Sequence, residues 1–285
     1  MKGGALGRLG LALVALSPVA AAGWLGAAWA RGALGDPARV RRTLERLGIV
    51  VGERAIRCER LGHGNMNAVF KVTLSPRGDG APETLVLKHM LGFGTLLGWG
   101  GRELGTMREH PRAIGRAARF HREHAALVAL AGAGIRVPRV LGACADEHVI
   151  ALEWIDGLDL GSALHDQPAL AHALGALLRR IHAAGYAMGD ANPRNLLVAG
   201  GALVPIDLET SHAHATPRQQ GFDLAWAAAF LPDAARAELF AGYGARAPVL
   251  DAAITDARAH LDRFWPLVDL FAARWRRSQS GPAFS

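Results

Sequence analysis

The sequence of 285 residues predicts an α+β fold of two lobes, a small β-rich lobe and a mainly helical lobe, preceded by a hydrophobic N-terminal helix. Strand-like apolar runs dominate up to residue 155, and apolar residues at helical spacing dominate after it. A chain of this length also buries enough surface to support two lobes. We assign residues 1–31 to a transmembrane or signal-anchor segment, residues 38–155 to the small lobe and residues 156–285 to the helical lobe.

The N-terminal segment contains no charged residue from Leu9 to Ala30. As a helix it would be about 33 Å long at roughly 1.5 Å per residue, enough to cross the hydrocarbon core of a bilayer. More arginines follow this segment than precede it, which favours a catalytic part at the cytoplasmic face of the inner or plasma membrane. Ala28-Trp29-Ala30 is also typical of a signal-peptidase site. An ordinary apolar helix or an over-extended start is a further alternative, and the protein would then be cytoplasmic.

The net charge of +7 is spread over many arginines, without a long basic run. Such a charge suits nucleic acid, an anionic membrane or phosphorylated substrates, so charge alone does not identify a partner. We expect no nucleic-acid partner, because only charge supports one; steep salt dependence of binding would test it. Cys58 and Cys144 lack the spacing of a metal site and are predicted to be buried thiols in a reducing compartment.

Three polar residues have a spacing suited to phosphoryl transfer: Asp190, Asn195 and Asp207. Two short apolar runs, residues 196–198 and 202–206, flank a turn of one alanine and two glycines, which predicts a β-hairpin. That hairpin would bring Asn195 and Asp207 together at its open end, where amide and carboxylate oxygens could hold Mg²⁺. Asp190 precedes them in a loop and could accept the proton of an attacking hydroxyl group.

The pattern G-D-x-N-P-x-N at residues 189–195, followed by I-D-L-E at residues 206–209, resembles the catalytic segment of the protein-kinase-like superfamily. The resemblance is nearest to its small-molecule branches, the lipopolysaccharide kinases and aminoglycoside phosphotransferases. It implies a two-lobed protein-kinase-like fold with ATP and Mg²⁺ as cofactors. In this resemblance Asp190 is the catalytic base, and Asn195 and Asp207 are the metal ligands.

Two departures from the family pattern are visible. Met188 stands where the family usually has a histidine, and Leu208-Glu209 replaces the usual Phe-Gly, as is ordinary in the small-molecule branches. The connection from Asp207 to Asp223 is short and lacks an A-P-E-like anchor, which argues against a regulated protein kinase. By resemblance, Asp223 is expected to orient the catalytic loop, and His182 to be structural.

A glycine-containing loop between two predicted strands carries Gly62, Gly64 and Asn65. Glycines there would let backbone N–H groups approach phosphates closely, although an ordinary hairpin turn is the alternative. The pattern G-x-G-N-x-N-x-V-F-K-V resembles small-molecule kinases of the methylthioribose type. A later strand resembles the hinge between the lobes, which implies that adenine contacts backbone groups from Glu153 to Ile155.

Lys88 ends an apolar strand and resembles the lysine that contacts the α- and β-phosphates. Glu123 falls on the apolar face of a predicted helix, residues 119–131. A carboxylate on such a face is unfavourable unless it is paired, and Lys88 is the expected partner. Glu109 is the alternative partner for Lys88.

The end of the chain, residues 250–277, has the pattern of two helices broken at Pro266. Proline removes a backbone donor and clashes with the preceding turn, which predicts the break. A basic aromatic stretch at residues 274–277 could contact an anionic membrane surface, with an ordinary solvated terminus as the alternative.

These residues together predict an ATP- and Mg²⁺-dependent phosphotransferase that transfers the γ-phosphoryl group to a hydroxyl group. The resemblance and the predicted membrane anchor suggest a small-molecule or envelope-associated sugar or lipid as the acceptor. A protein Ser/Thr kinase is one alternative. Another is a non-catalytic membrane pseudokinase that binds nucleotide or a partner: Met188 supports it, whereas the retained Lys88, Asp190, Asn195 and Asp207 argue against it.

Overall fold

The computed structural model describes residues 34–61, 67–91, 115–164, 167 and 169–279, with side chains as far as residue 263. Within these ranges a β-sheet lobe is followed by a helical lobe, as the sequence predicts. The predicted hydrophobic helix, residues 9–30, lies outside them. None of the helices in the described ranges is long and apolar enough to span a bilayer.

The small lobe contains a five-stranded antiparallel sheet. Its strands are β1 (Ile56–Leu61), β2 (Asn67–Leu74), β3 (Glu83–Met90), β4 (Val140–Cys144) and β5 (Val149–Glu153). They are ordered β1-β2-β3-β5-β4 across the sheet. Helix α1 (Pro37–Arg46) precedes the sheet, and helix α2 (Arg116–Gly132) comes between β3 and β4 in the chain.

Side-chain burial alternates along β2 and distinguishes the two faces of this sheet. Every second residue from Ala68 to Leu74 is buried, and the residues between them are half-buried. Helix α1 packs in the same core cluster through Val40 and Leu44. Asp36 fixes the start of α1, because its carboxylate accepts a hydrogen bond from the backbone N–H of Arg39 at 3.0 Å.

The helical lobe combines long helices with short strands. Its helices are α3 (Leu160–Ala163), α4 (Leu170–Ala183), α5 (Pro217–Ala229), α6 (Asp233–Tyr243) and α7 (Pro248–Gln279). Its strands are β6 (Leu158–Asp159), β7 (Tyr186–Ala187), β8 (Leu196–Ala199), β9 (Ala202–Pro205) and β10 (His212–Ala213). Strand β8 pairs with β6 and β9, and β7 pairs with β10. A core cluster that includes Leu152, Leu174 and Leu208 continues from the sheet into this lobe.

Helices α4 and α6 pack closely through two glycines, Gly175 and Gly242. A Cβ atom at Gly175 would lie 2.6 Å from the backbone nitrogen of Tyr243 and would also overlap the carbonyl oxygen of Leu239. The absence of a side chain at Gly175 is therefore what allows this crossing.

Helix α7 is continuous from Pro248 to Gln279, so the predicted break at Pro266 is wrong. A proline inside a helix costs roughly 3 kcal/mol. Three residues of the preceding turns, Leu250, Ile254 and Leu261, are buried in the core clusters of the lobe. Each fully buried side chain of this kind contributes about 1.5–3 kcal/mol to the packing of α7 before Pro266. A proline removes a single backbone donor, and the remaining hydrogen bonds carry the helix past it.

Candidate active site

The predicted hairpin is present and brings two of the predicted site residues to its open end. Asn195 directly precedes β8, and Asp207 lies two residues after β9. The backbone N–H of Ile206 donates to the carbonyl of Asn195 at 3.0 Å, which extends the pairing to the point where both side chains begin. Gly200 and Gly201 form the turn at the other end, both with positive φ, 56° and 78°.

Asp190 lies in the loop before the hairpin, in contact with two other side chains of the site region. Its carbonyl accepts a hydrogen bond from the side-chain amide of Asn195 at 3.1 Å. Its carboxylate oxygen Oδ1 accepts a hydrogen bond from the indole nitrogen of Trp226 at 2.7 Å. The role of Asp190 as base stays a prediction, and the contact with Trp226 was not foreseen from the sequence.

Helix α5 anchors the loop before Asp190 through a buried carboxylate. Asp223 accepts hydrogen bonds from the backbone N–H groups of Met188 at 2.6 Å and Gly189 at 2.8 Å. The same carboxylate lies 3.1 Å from Nε2 of His182, whose Nδ1 lies 2.9 Å from the hydroxyl of Tyr243. These contacts confirm that Asp223 orients the loop and that His182 is structural.

Met188 is fully buried and takes part in the loop through its backbone. In addition to the contact with Asp223, its carbonyl accepts a hydrogen bond from the hydroxyl of Thr210 at 3.2 Å. The loop is therefore held in place without a histidine side chain at this position.

Lys88 joins the sheet to helix α2 and to the hairpin. Its ammonium nitrogen lies 2.7 Å from a carboxylate oxygen of Glu123 and 2.9 Å from Oδ1 of Asp207. Both Lys88 and Glu123 are buried, at 4% and 0% exposed. The predicted ion pair with Glu123 is confirmed, and Asp207 is a second partner that was not predicted.

The charges around Lys88 determine its protonation state. Burial alone lowers the pKa of the Lys88 ammonium, but the carboxylates of Asp207, Glu123 and Glu209 outweigh burial and raise it above its usual value. Burial raises the pKa of the Glu123 carboxyl group, and the adjacent Lys88 ammonium opposes that shift. Lys88 therefore carries a fixed positive charge at the point where the β3 strand faces the hairpin.

A buried polar network continues from this pair through residues that sequence reasoning missed. Glu209 accepts a hydrogen bond from the side-chain amide of Asn67 at 2.6 Å and lies 3.3 Å from Nη1 of Arg119. Arg119, itself fully buried, donates to the side chain of Asn67 at 2.8 Å and to the carbonyl of Leu91 at 2.5 Å. The sequence contains one signal of this network. Arg119 and Glu123 lie four residues apart on one apolar helix face, so their side chains are expected to share a buried environment.

Oxygen atoms around Asp207 are of the kind that binds a magnesium ion. They belong to a group of three carboxylates and, separately, to the predicted pair of ligands. Glu123, Asp207 and Glu209 each place a carboxylate oxygen within 4.8 Å of the others. Hard oxygen ligands of this kind are those that Mg²⁺ prefers. Because the Lys88 ammonium lies against Glu123 and Asp207, it already compensates part of this charge. Asn195 and Asp207, at the end of the hairpin, stay the predicted ligands.

The other predicted binding residues divide into two groups. Gly62, Gly64 and Asn65 lie outside the described residues, so their contact with phosphates stays a prediction. Glu153 ends β5, and its backbone N–H donates to the carbonyl of Arg139 at 2.9 Å. Ile155 follows as a buried residue of the linker to the helical lobe.

The side chain of Glu153 is also engaged. It forms an ion pair with Arg136 at 2.6 Å. Next to it, Trp154 lies under the ammonium of Lys71, 4.3 Å from the ring centroid. The structure therefore gives the Glu153 side chain a structural partner, and adenine binding by the backbone of this linker stays a prediction.

Comparison with known proteins identifies the group to which this arrangement belongs. The sequence profile of the phosphotransferase enzyme family APH matches residues 57–267, more than half of the chain. Among solved structures, the fold is similar to that of a choline/ethanolamine kinase family protein from Mesorhizobium loti, with a TM-score of 0.52. The two share 17% sequence identity, over 85% of this chain and 89% of that chain. No curated protein is significantly similar in sequence.

The two-lobed fold, the Lys88–Glu123 pair and the hairpin with its polar end agree with the family match. The chain belongs to the APH phosphotransferase enzyme family and is a kinase that uses a hydroxyl group as acceptor.

Proposed function

We propose that the protein transfers the γ-phosphoryl group of ATP, with Mg²⁺, to a hydroxyl group of a small molecule. The observation that carries this proposal is the position of the Lys88 ammonium between Glu123, at 2.7 Å, and Asp207, at 2.9 Å. This contact joins a strand of the small lobe to the residue that follows the hairpin, which is where a phosphate-binding cation is needed. The family match supports the same reaction class.

Each residue has a separate task in this proposal. Lys88 supplies a fixed positive charge to the phosphates, and Glu123 holds the lysine in place. Asp190 accepts the proton of the acceptor hydroxyl as its oxygen attacks the γ-phosphorus. Asn195 and Asp207 would hold Mg²⁺, which when bound neutralises charge on the phosphates.

We further propose that the acceptor is an envelope-associated sugar or lipid and that the protein phosphorylates it at the cytoplasmic face of the membrane. The uncharged segment from Leu9 to Ala30 and the net charge of +7 support this location. Fractionation of cells that produce the full chain tests it. We expect the protein in the membrane fraction, resistant to high salt and released by detergent, and its recovery in the soluble fraction would contradict the location.

The alternative functions have less support. Nine residues, 208–216, separate Asp207 from helix α5, which leaves no room for a long phosphorylatable loop of a regulated protein kinase. The pseudokinase alternative rested on Met188. The backbone contacts of Met188 with Asp223 and Thr210 weaken that argument, because they hold the loop without a histidine.

The reaction is tested with ATP labelled at the γ-phosphoryl group, Mg²⁺ and an envelope extract that contains lipids and small sugars. We expect label on a hydroxyl compound, and we expect Asp190→Asn to lower the rate by roughly 10²–10⁴-fold, since it removes the base. Asp233→Asn, a change at an exposed carboxylate of helix α6, is the matched control and should leave the rate unchanged.

Two results would contradict the proposal. Label found only on proteins would favour the protein-kinase alternative. Binding of ATP without labelling of any extract component, in wild type and in Asp190→Asn alike, would favour the pseudokinase.

A further inference from the structure

Helix α5 contacts the catalytic loop at two points that are one helical turn apart. Asp223 accepts hydrogen bonds from the backbone N–H groups of Met188 and Gly189. Trp226, three residues further along, donates from its indole nitrogen to Oδ1 of Asp190 at 2.7 Å. Residues three apart lie on the same face of a helix, so one face of α5 holds both the backbone of the loop and the side chain of Asp190.

The ring of Trp226 is enclosed by aromatic neighbours. Phe222 stacks on it, with centroids 5.9 Å apart and an angle of 15° between the planes. Phe230 meets it at 85°, with centroids 4.9 Å apart. Trp226 is 9% exposed, so its faces are covered and its polar edge points to Asp190. This arrangement argues against a ring that stacks on a substrate.

The chemistry of the contact is directional. An indole N–H donates and does not accept, so this hydrogen bond needs an acceptor such as the Asp190 carboxylate. Hydrogen bonds to an ionised group are stronger than those between neutral groups, and the short distance of 2.7 Å agrees with that class. A carboxylate held at one oxygen by a rigid and packed donor has a fixed orientation.

We propose that Trp226 is a positioning residue for phosphoryl transfer, which orients Asp190 toward the acceptor hydroxyl. The inference rests on the proposed function, in which Asp190 is the base. In the step, the acceptor oxygen forms a bond to the γ-phosphorus while the bond from that phosphorus to the bridging oxygen of ADP breaks. The hydroxyl proton passes to Asp190, and Trp226 keeps its own proton throughout.

The kinetic test uses the full chain with ATP labelled at the γ-phosphoryl group, Mg²⁺ and the envelope extract, and follows the transfer of label to the hydroxyl compound. Trp226→Phe keeps an aromatic ring but removes the N–H. We expect kcat to fall by about 10- to 100-fold, as for loss of a hydrogen bond to a charged group, while KM for ATP stays within about twofold. An unchanged kcat would overturn the proposal.

Phe230→Leu is the matched control. It removes an aromatic contact with the same ring but leaves the N–H of Trp226 in place. We expect lower thermal stability and a fall of kcat clearly smaller than that of Trp226→Phe, because the N–H donor is retained. An equal fall of kcat in Phe230→Leu and Trp226→Phe would show that only packing matters and would overturn the proposal.

A second measurement does not depend on turnover. The indole N–H signal of Trp226 is assigned in triple-resonance spectra of the wild type, where the chain has seven tryptophans. Asp190→Ala should move this signal upfield and speed its exchange with water, while the other indole signals stay in place. Asp190→Asn, whose amide oxygen still accepts, should move it less.

The two measurements separate the two claims. A Trp226 signal that does not respond to Asp190→Ala would overturn the inference. A responsive signal in a wild type that labels no component of the envelope extract would support the contact and contradict the proposed function.

Discussion

His89 neighbours Lys88 on strand β3, but it belongs to the opposite face of the sheet, because successive strand residues alternate. Its ring meets Phe70 edge-on, with centroids 6.4 Å apart, and the residue is 6% exposed. Its Nε2 atom has no hydrogen-bond partner among the residues that the structure describes. Burial lowers the pKa of His89 to about 4, and the nearby Arg39 adds to the shift.

This shift predicts that the protein loses stability in acid. A histidine in the unfolded chain has a pKa of about 6.5, so between about pH 6.5 and 4 the unfolded state binds more protons than the folded state. The free energy of unfolding therefore decreases as pH falls through this window, by about 2 kcal/mol for His89 at pH 5. Urea denaturation at pH 7 and pH 5 measures the loss.

Histidine variants show how much of this loss of stability is due to His89. His89→Leu should show a smaller difference between the two pH values than wild type. It should retain part of the difference, because burial also lowers the pKa of His212 to about 4. His172→Gln, at a half-exposed side chain, should behave as wild type. The same pH dependence in His89→Leu and wild type would contradict the assignment.

Residue-level prediction placed side chains correctly where a local pattern was informative. The apolar runs around a turn predicted that Asn195 and Asp207 lie at one end of a hairpin, and an apolar helix face predicted the pairing of Glu123 with Lys88. The chemical roles of Asp190, Asn195 and Asp207 stay predictions. Trp226 could not be found, because it lies 36 residues from Asp190 and looks like any other apolar residue of an alanine-rich helix.

At the scale of elements, the crossing of α4 and α6 gives a direct prediction. Gly175→Ala should destabilise the fold by about 1–3 kcal/mol, since its Cβ would overlap the backbone of α6 at Leu239 and Tyr243. Thermal or urea denaturation measures the change. Gly132→Ala at the end of α2 is the control: its Cβ would meet no atom within 4 Å, and it should be neutral or slightly stabilising.

A small and equal change of stability in both glycine variants would contradict this prediction, because α4 and α6 could then move apart at low cost. A loss confined to Gly175→Ala would confirm that the close approach of these helices is needed.

The elements near the site were largely predictable, and the end of the chain was not. The hairpin follows from apolar runs that flank two glycines, and both glycines adopt the positive φ that this turn requires. The break at Pro266 was predicted from proline chemistry alone. The helix continues through Pro266 to Gln279, so a proline in the sequence did not by itself identify the end of a helix.

At the scale of the whole molecule, buried charges join the two lobes. Lys88 of β3 contacts Asp207, 119 residues away, and Asn67 at the start of β2 contacts Glu209, 142 residues away. Sequence patterns report on neighbours in the chain, so contacts over such separations were predicted only where the family resemblance supplied them. The two-lobed order itself was predictable, since strand-like and helix-like periods occupy successive parts of the chain.

The affinity for ATP with and without Mg²⁺ tests the central claim most directly, measured by isothermal titration of the full chain. We predict that Mg²⁺ strengthens binding by at least about tenfold in wild type and that Asp207→Asn loses this gain. Asp251→Asn, at an exposed ion pair with Arg246, should keep it. Equal affinity with and without Mg²⁺, or no binding of ATP by wild type, would contradict the account.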